Sequence, residues 1–527
     1  MSARAATAAK KAARRAVQTA AGILVEVLDR IRIALTAGVL SYFLYFFGLE
    51  AAGLIGPDEP RYAAIGRQMA HSGDWLTPVL WGRAWFEKPP LLYWMTASGY
   101  LAGLDADLAP RLPVALLGVF FLGLFWALAR QEFGSEAAGY GVAVLATSAG
   151  WVAFSHLAVP DLPLAATFGL AMLFGLRWLS TGHRGHLLAA WFCLGLAVLA
   201  KGLVPLVLAL PLVWCARSRW RAFFRPAGIA VFLLTAVPWY ALCAARHGME
   251  FLGEFFGRHH LERLVGGGIH HPRPWWFYLP ILPAAIFPWT PWLVAVVRPR
   301  PYADPRRRFL ALWVLFGLLF FSASVNKLPG YLLPLLPPLA LLVGLALAER
   351  PDARWLLAAS IASLVVTPLV SGTLPFALAS GLSRAPIQGW SWTFAAGMVT
   401  LATGVWLLER AARRAAAVML TAVAATAAVV YLKVEALPEV DRWASGRPLW
   451  RQVAAHRDAV CIESLHRNWR YGLDYYALTP LPSCAEAPQR TVRIRQLPGA
   501  LPVVERTDGA SEATRIGLQA APTRSFV

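Results

Sequence analysis

The chain has 527 residues, of which 58% are hydrophobic and 15% are charged, and its net charge is +20. Its mean hydropathy is +0.52. A soluble globular chain carries roughly a quarter charged residues and less apolar content, so the soluble class is excluded. In a membrane chain, basic cytoplasmic loops are the first explanation of positive charge, and only cations on the opposite side need another reason.

Apolar runs recur along most of the chain, and each is close to the roughly 20 residues that a helix needs to cross a bilayer core. They predict a polytopic α-helical membrane protein with about thirteen transmembrane helices over residues 35–432. The basic segment 1–34 has no convincing cleavage site, so we expect it to be cytoplasmic and uncleaved. The predicted cores, in chain order, are 35–55, 111–129, 137–156, 162–180, 186–200, 203–216, 227–245, 275–297, 309–325, 328–348, 354–375, 392–409 and 415–432.

Alternating these spans from a cytoplasmic N-terminus gives a consistent topology. The loops then predicted inside are rich in arginine, as the positive-inside rule requires. They are 217–225, 298–308, 349–354 and 409–414. The segments predicted outside are 56–110, 157–161, 246–274, 326–327 and 433–527.

The first external loop, 56–110, contains two amphipathic helical patterns that are typical of helices in the membrane interface. Each starts with proline, which is well tolerated in the first helical turn. A residue before proline is biased towards an extended conformation, so we expect Glu59 to be extended and the first helix to begin near Pro60. Asp58 and Glu59 should then point in different directions and have different roles.

The second large external loop is 246–274, and the polar tail 433–527 is predicted to form a small external α/β domain. Its strand-like runs are "AVCIES", "TVRIRQL" and "ALPVVERT". Outside the cytoplasm Cys461 and Cys484 could form a disulfide, and the sequence leaves the paired and free states open.

Cations remain on the predicted external face after the topology is accounted for. Snorkelling and ordinary loop charge explain many of them. Lys201 and Lys327 stand at tight turns between spans, where a cation is a functional candidate. Such cations would suit a lipid-linked phosphate. The external set is Arg61, Arg67, Arg83, Lys88, Lys201, Arg246, Arg258, Arg263, Arg273 and Lys327.

External carboxylates supply candidates for general-base or acceptor-positioning chemistry. Asp58 and Glu59 follow the first span, and Asp161 lies in "AVPDLPL" at another external turn. Helix capping and interaction with the helix dipole are the alternative explanation for all three.

Glu87 with the histidine pairs of the second loop offers the ligand types of a zinc-like site, although paired histidines are also common as solvated residues. The chain shows no glycine-rich phosphate loop, which argues against a nucleotide cofactor.

These residues together resemble a known family. "DEPRYAAIGRQMAHSGDWLTPVLWGRAWFEKPPLLYW" is similar to the first periplasmic loop of bacterial GT-C membrane glycosyltransferases, nearest to the undecaprenyl-phosphate aminoarabinose transferase group and related to protein O-mannosyltransferases. Further matches are "RLP", "AVPDLPL", "GLAVLAKG", "HHLERL…HHPRPWWFYLP" and "SASVNKLPGYLLPLLPPLALL". The resemblance runs from about residue 35 to 350.

The resemblance implies an inner-membrane enzyme that works on the periplasmic side, taking a sugar from a polyprenyl phosphate and passing it to a lipid A phosphate or to Ser/Thr hydroxyls. It makes Asp58 the principal catalytic carboxylate, with Asp161 and Glu59 as further acidic candidates. It also implies a metal bound by Glu87, His260 and His271, but because "HH" occurs twice, the ligand of each pair is open. The resemblance makes Arg61, Lys88 and Lys201 candidates for holding the carrier phosphate. The full set of expected substrate-binding residues is Arg61, Tyr62, Arg83, Lys88, Lys201, Arg263, Lys327 and Tyr331.

Two alternatives remain. A lipid or sugar transporter would also be polytopic, but it should carry charges or broken helices at mid-span, whereas the polar residues here collect on one face. A structural or assembly protein would leave the acidic and basic loop pattern unexplained. The expected partners are therefore a polyprenyl-phosphate sugar, a lipid or protein acceptor and membrane lipids, with no nucleic acid.

Overall fold

A computed structural model describes residues 31–32, 34–255, 257, 273–297, 300–350, 353–497, 500–506 and 514–517. Helices dominate these ranges. Of the residues selected from the sequence, Arg258, Arg263, His260 and His271 lie outside the described residues. The same holds for the first 30 residues.

Within the described ranges, eight helices are long and apolar enough to cross a membrane, or up to ten if each of two bent helix pairs is one span. Every predicted core overlaps a helical segment, and the chain is a polytopic helical membrane protein. The number thirteen stays a prediction. The α-helices are α1 Ala34–Phe46, α2 Asp58–Ser72, α3 Leu91–Leu101, α4 Leu108–Phe133, α5 Ser135–Thr147, α6 Ala149–Ser155, α7 Asp161–Thr181, α8 Arg184–Lys201, α9 Val204–Leu208, α10 Leu210–Cys215, α11 Trp220–Phe223, α12 Pro226–Leu252, α13 Tyr278–Ala285, α14 Leu293–Val296, α15 Pro305–Ala323, α16 Leu336–Glu349, α17 Arg354–Ser363, α18 Thr367–Ser380, α19 Trp392–Arg410, α20 Arg414–Ala444, α21 Arg447–Val453 and α22 Arg467–Tyr476.

The first loop contains α2, a short hairpin and α3. The hairpin strands are β1 Val79–Leu80 and β2 Arg83–Ala84. A Cβ at Gly66 of α2 would lie 2.5 Å from the Thr96 side chain of α3, and a Cβ at Gly99 would collide with the Ala109 carbonyl of α4. Glycine at these two positions therefore lets α2, α3 and α4 pack closely. This packing fixes the N-terminus of α2 against the membrane domain.

The predicted start of α2 was wrong by two residues. The helix begins at Asp58, so Glu59 is helical rather than extended. Pro60 is the third residue of the helix, where the N–H that proline lacks has no intrahelical partner in any case. The first turn therefore accommodates the proline that was expected to delay it.

The tail folds as a small α/β unit, here called the C-terminal unit, over the described part of 447–517. Its strands are β3 Val460–Ser464, β4 Val492–Arg495, β5 Val503–Arg506 and β6 Thr514–Gly517, in the spatial order β3-β4-β5-β6. β3 and β4 are parallel and the other pairs are antiparallel. The three strand-like runs thus form β3, β4 and β5, as predicted. Helix α20 continues to Ala444, beyond the predicted boundary at 432/433, so the domain bounds stay predictions.

A polar junction joins the C-terminal unit to the first loop. The Arg447 guanidinium donates to Asp441 and, at 2.7 Å, to Asp107. The Tyr476 hydroxyl donates to Asp107 at 2.5 Å and accepts from the Leu54 N–H at 2.9 Å. These charge-assisted contacts tie α20, α21 and α22 to the residues on either side of α2.

Cys461 and Cys484 form a disulfide, which settles the open alternative in favour of pairing. It connects β3 to the segment before β4.

We expect the Cys461→Ser/Cys484→Ser double variant to lose about 2–4 kcal/mol of unfolding free energy in the C-terminal unit, because its unfolded chain gains conformational freedom. Thermal unfolding in detergent, with Cys193→Ser as control, measures this, and an unchanged transition would contradict it.

Candidate functional site

Asp58 and Glu59 diverge at the first turn of α2, as predicted from the sequence. The Asp58 carboxylate is half exposed, with 48% of its side chain accessible, whereas Glu59 is 1% exposed. Adjacent residues on a helix point about 100° apart, which is sufficient to place one in the site and the other in the protein interior. Of these two carboxylates, Asp58 is the one that a substrate can reach.

Glu59 forms a buried clamp with Arg111 at the start of α4. The two carboxylate oxygens accept from Arg111 Nε at 2.7 Å and Nη2 at 2.8 Å. They also accept from the backbone N–H groups of Ile55 and Ala158. Arg111 in turn donates to the carbonyl groups of Leu49, Ala52 and Gly53. The buried charges are thus paired and hydrogen-bonded, and this clamp positions the backbone around α2.

Asp58, Arg61, Glu87 and Lys88 form a chain of alternating charge, here called the Asp58 cluster. Arg61 donates to Asp58 and, at 3.3 Å, to Glu87, while Lys88 Nζ lies 3.0 Å from the other Glu87 oxygen. Burial lowers the pKa of the Arg61 guanidinium, but the Glu87 and Asp58 carboxylates raise it more, so the net direction is upward. Arg61 therefore stays cationic in its buried position.

Aromatic rings surround the Arg61 guanidinium. Its Cζ lies 5.9 Å from the Tyr62 ring centroid, 5.5 Å from Trp85 and 5.1 Å from Tyr471. Burial, with Glu87 and Asp58 nearby, raises the pKa of the Tyr62 hydroxyl well above its ordinary value. Tyr62 is therefore neutral, and it contributes an apolar wall with a polar end.

A second group, the Asp161 cluster, consists of Asp161, Lys201 and Tyr331. Asp161 opens α7 and Lys201 closes α8, so the two side chains meet at one end of this helix pair with Nζ and Oδ1 2.7 Å apart. The Tyr331 ring centroid lies 4.7 Å from Lys201 Nζ. A Cβ at Gly330 would overlap the Asp161 carboxylate, which explains why glycine precedes Tyr331.

Glu59 links the surroundings of the two clusters. Its Oε1 accepts from the Ala158 N–H at 3.0 Å, in the turn that leads into Asp161. On the other side Glu59 follows Asp58 directly. One buried carboxylate therefore contacts the segments that carry both acidic candidates.

Two predicted substrate-binding cations lie apart from these contacts. Lys327 is buried, and its Nζ donates to the Arg273 carbonyl at 3.1 Å and to the Ser324 carbonyl, so it stabilises the turn before α16. Arg83 is exposed on the β1–β2 hairpin. Their predicted roles at the substrate stay predictions.

Comparison with known proteins gives three findings. Residues 87–241 match the family "Dolichyl-phosphate-mannose-protein mannosyltransferase". An undecaprenyl phosphate-α-4-amino-4-deoxy-L-arabinose arabinosyl transferase of Pseudomonas paraeruginosa is 36% identical over 321 residues, 58% of this chain and 58% of that protein. The crystal structure of ArnT from Cupriavidus metallidurans bound to undecaprenyl phosphate superposes with a TM-score of 0.71 at 27% identity, covering 87% of this chain and 88% of that one. The resemblance to the GT-C membrane glycosyltransferases is confirmed.

The sequence alignment spans little more than half of the curated relatives, as a second one from Pseudomonas fluorescens also shows, with 36% identity over 59% of each chain. The structural match extends over most of both chains. The curated relatives are named as aminoarabinose transferases, and the matched structure is named ArnT.

The predicted metal ligands divide between described and undescribed residues. Among the described residues, no group of three or more His, Cys, Asp or Glu side chains is placed to hold a metal ion. Glu87 directs its two oxygens at Arg61 and Lys88. The predicted metal site of Glu87, His260 and His271 stays a prediction, because both histidines lie outside the described residues.

Two residues that contact the acidic candidates or their cations were not predicted from the sequence. Arg111 lies in "RLP", which was noted as a family match without a role, and its carboxylate partner is 52 positions away. Tyr471 belongs to the tail and reaches Arg61 of the first loop. The local pattern around Tyr471 carries no signal for this contact, because it depends on how the C-terminal unit docks.

Proposed function

We propose that the protein is a GT-C glycosyltransferase that moves a sugar from a polyprenyl phosphate, such as undecaprenyl phosphate, to a lipid A phosphate. The observation that carries the proposal is the pair of acid–cation clusters joined through Glu59, in a fold that matches a structure bound to undecaprenyl phosphate. The curated relatives are named as aminoarabinose transferases. We propose the same sugar class here.

In the proposed reaction the bond between the anomeric carbon and the carrier phosphate oxygen breaks, and the phosphate leaves with the electron pair. An acceptor oxygen forms the new bond to the anomeric carbon. Fixed cations placed where charge develops are effective stabilisers of such a leaving group. Arg61, Lys88 and Lys201 are the proposed phosphate-binding cations.

Asp58 is the proposed catalytic carboxylate. A phosphate acceptor is already anionic, so Asp58 would orient it or balance positive charge on the sugar ring. A hydroxyl acceptor would give its proton to Asp58 as general base. The family match over 87–241 favours this second acceptor class, protein Ser/Thr hydroxyls, as the alternative.

We propose that the site faces the periplasm from the bacterial inner membrane. The arginine-rich loops on the opposite side and the disulfide in the C-terminal unit support this orientation, since disulfides persist outside the cytoplasm. A lipid-linked donor needs no nucleotide cofactor.

The proposal is tested with purified protein in detergent, a radiolabelled polyprenyl-phosphate sugar, and either lipid A or a Ser/Thr-rich peptide as acceptor. Label in lipid A supports the proposal, and label in the peptide alone favours the alternative. If neither acceptor is labelled while the labelled lipid crosses a liposome bilayer, the protein is a transporter and the proposal fails.

Lys201→Gln is expected to weaken undecaprenyl phosphate binding by about tenfold or more, because a hydrogen bond to a charged group contributes about 1.5–3 kcal/mol. Lys201→Arg keeps the cation and should bind more tightly than the glutamine variant. Binding titration in detergent measures this, with the exposed Arg384→Gln as control. Equal affinity of Lys201→Gln and the wild type would contradict a phosphate-binding role.

A further inference from the structure

The turn of the β1–β2 hairpin holds a tryptophan in an unfavourable backbone conformation. Val79 pairs with Ala84 and Leu80 with Arg83, which leaves Trp81 and Gly82 as a two-residue turn with φ values of 50° and 81°. Such a turn needs positive φ at both positions and favours Asn-Gly. A bulky residue at positive φ is an outlier, and strain of this kind collects at functional sites. The geometry of the turn therefore does not explain why a tryptophan occupies position 81.

The ring of Trp81 stacks on a residue of the C-terminal unit. Its centroid lies 5.6 Å from that of Tyr471, and the planes are 11° apart. The same Tyr471 ring lies 5.1 Å from Arg61 Cζ. Trp81 therefore supports Tyr471, and Tyr471 in turn packs on the guanidinium of the Asp58 cluster.

Arg61 is held by hydrogen-bond acceptors and lies against aromatic rings. Three of its N–H groups donate to Asp58, to Glu87 and to the Pro57 carbonyl. A guanidinium has further N–H donors that a phosphate oxygen can accept from. The rings restrict its plane, because a cation over an aromatic face is attracted to it. The direction of the remaining donors thus depends on where Tyr471 lies.

We propose that Trp81 and Tyr471 are positioning residues that orient Arg61 towards the phosphate of a polyprenyl phosphate, so that the C-terminal unit completes the donor site of the membrane domain. This inference rests on the proposed function. It adds a contribution from the tail to a site otherwise built from the first loop.

Trp81→Asn separates this role from a purely structural one. Asparagine tolerates positive φ, so the variant should keep the hairpin and unfold at the same temperature as the wild type or higher. The ring is lost, and undecaprenyl phosphate should bind about fivefold more weakly, with a higher KM for the donor and a kcat within about twofold. Tyr471→Ala should behave likewise, whereas Tyr471→Phe keeps the ring and should retain wild-type affinity.

Arg467→Ala, at the exposed start of α22, is the matched control and should bind as the wild type does. Wild-type affinity in both Trp81→Asn and Tyr471→Ala would overturn the inference and leave the proposed function intact. Equal losses of affinity and thermal stability in Tyr471→Ala and Tyr471→Phe would also overturn it, in favour of a structural contact. A wild-type protein that neither binds undecaprenyl phosphate nor transfers sugar would overturn the proposed function as well.

Discussion

Asp58→Asn is expected to lower the rate of sugar transfer by about 100-fold or more. A positioned carboxylate that takes a proton or balances transition-state charge typically contributes 10²–10⁴-fold, and asparagine keeps the shape while losing the charge. The half-exposed position of Asp58 beside Arg61 makes it the accessible acid of the first turn, since Glu59 is fully engaged. The transfer assay with a radiolabelled donor measures this effect.

The expected loss is in kcat, so the affinity of the variant for undecaprenyl phosphate serves as the control measurement. Asp58→Asn removes the negative charge from one acceptor of Arg61, but Glu87 and the Pro57 carbonyl still hold the guanidinium. Undecaprenyl phosphate should therefore bind within about threefold of the wild type. Glu50→Gln changes an exposed carboxylate just before the first loop and should transfer normally. Normal transfer by Asp58→Asn would end its catalytic assignment.

Arg111→Met is expected to have the largest effect on stability, with a loss of about 3–5 kcal/mol. Removing one partner of a buried ion pair leaves an uncompensated charge, here Glu59, in a low-dielectric environment. Three backbone carbonyl groups also lose their donor. Thermal unfolding in detergent, followed by size-exclusion chromatography, should show a lower transition temperature and aggregation.

The exposed pair Arg246–Asp74 supplies the comparison for this prediction. Its side chains are 52% and 33% accessible, and pairs of this kind contribute about 0–1 kcal/mol. Arg246→Met should therefore unfold nearly as the wild type does. The double variant Glu59→Leu/Arg111→Met should recover part of the stability lost by Arg111→Met, because no charge is then left unpaired. An Arg111→Met transition equal to that of Arg246→Met would contradict the buried clamp.

The sequence allowed the membrane architecture and the acidic candidates to be predicted, because both leave local patterns. Apolar runs located the helices, and the order of charges around Asp58, Asp161 and Lys201 marked the turns where the clusters lie. The divergence of Asp58 from Glu59 was predicted correctly for an incorrect reason: helical geometry separates them, and Pro60 does not delay the helix.

Long-range contacts could not be predicted in this way. Glu59 pairs with Arg111 and the Ala158 amide because the start of α2 meets the start of α4 and the turn before α7. Tyr471 reaches Arg61 only because Arg447 and Tyr476 dock the tail on Asp107. Neither contact leaves a pattern in the sequence around the residues that form it, because each is created by the packing of segments far apart in the chain.

The junction of Arg447, Asp107 and Tyr476 also has a consequence for the order of biogenesis. Ribosomes make the chain from the N-terminus, so Asp107 is synthesised long before Arg447 and Tyr476. The first loop must therefore wait for the last helix and the tail before its polar groups find these partners. A nascent chain halted before residue 447 should therefore leave Asp107 without these partners, and the finished protein joins its two ends in the final step of insertion.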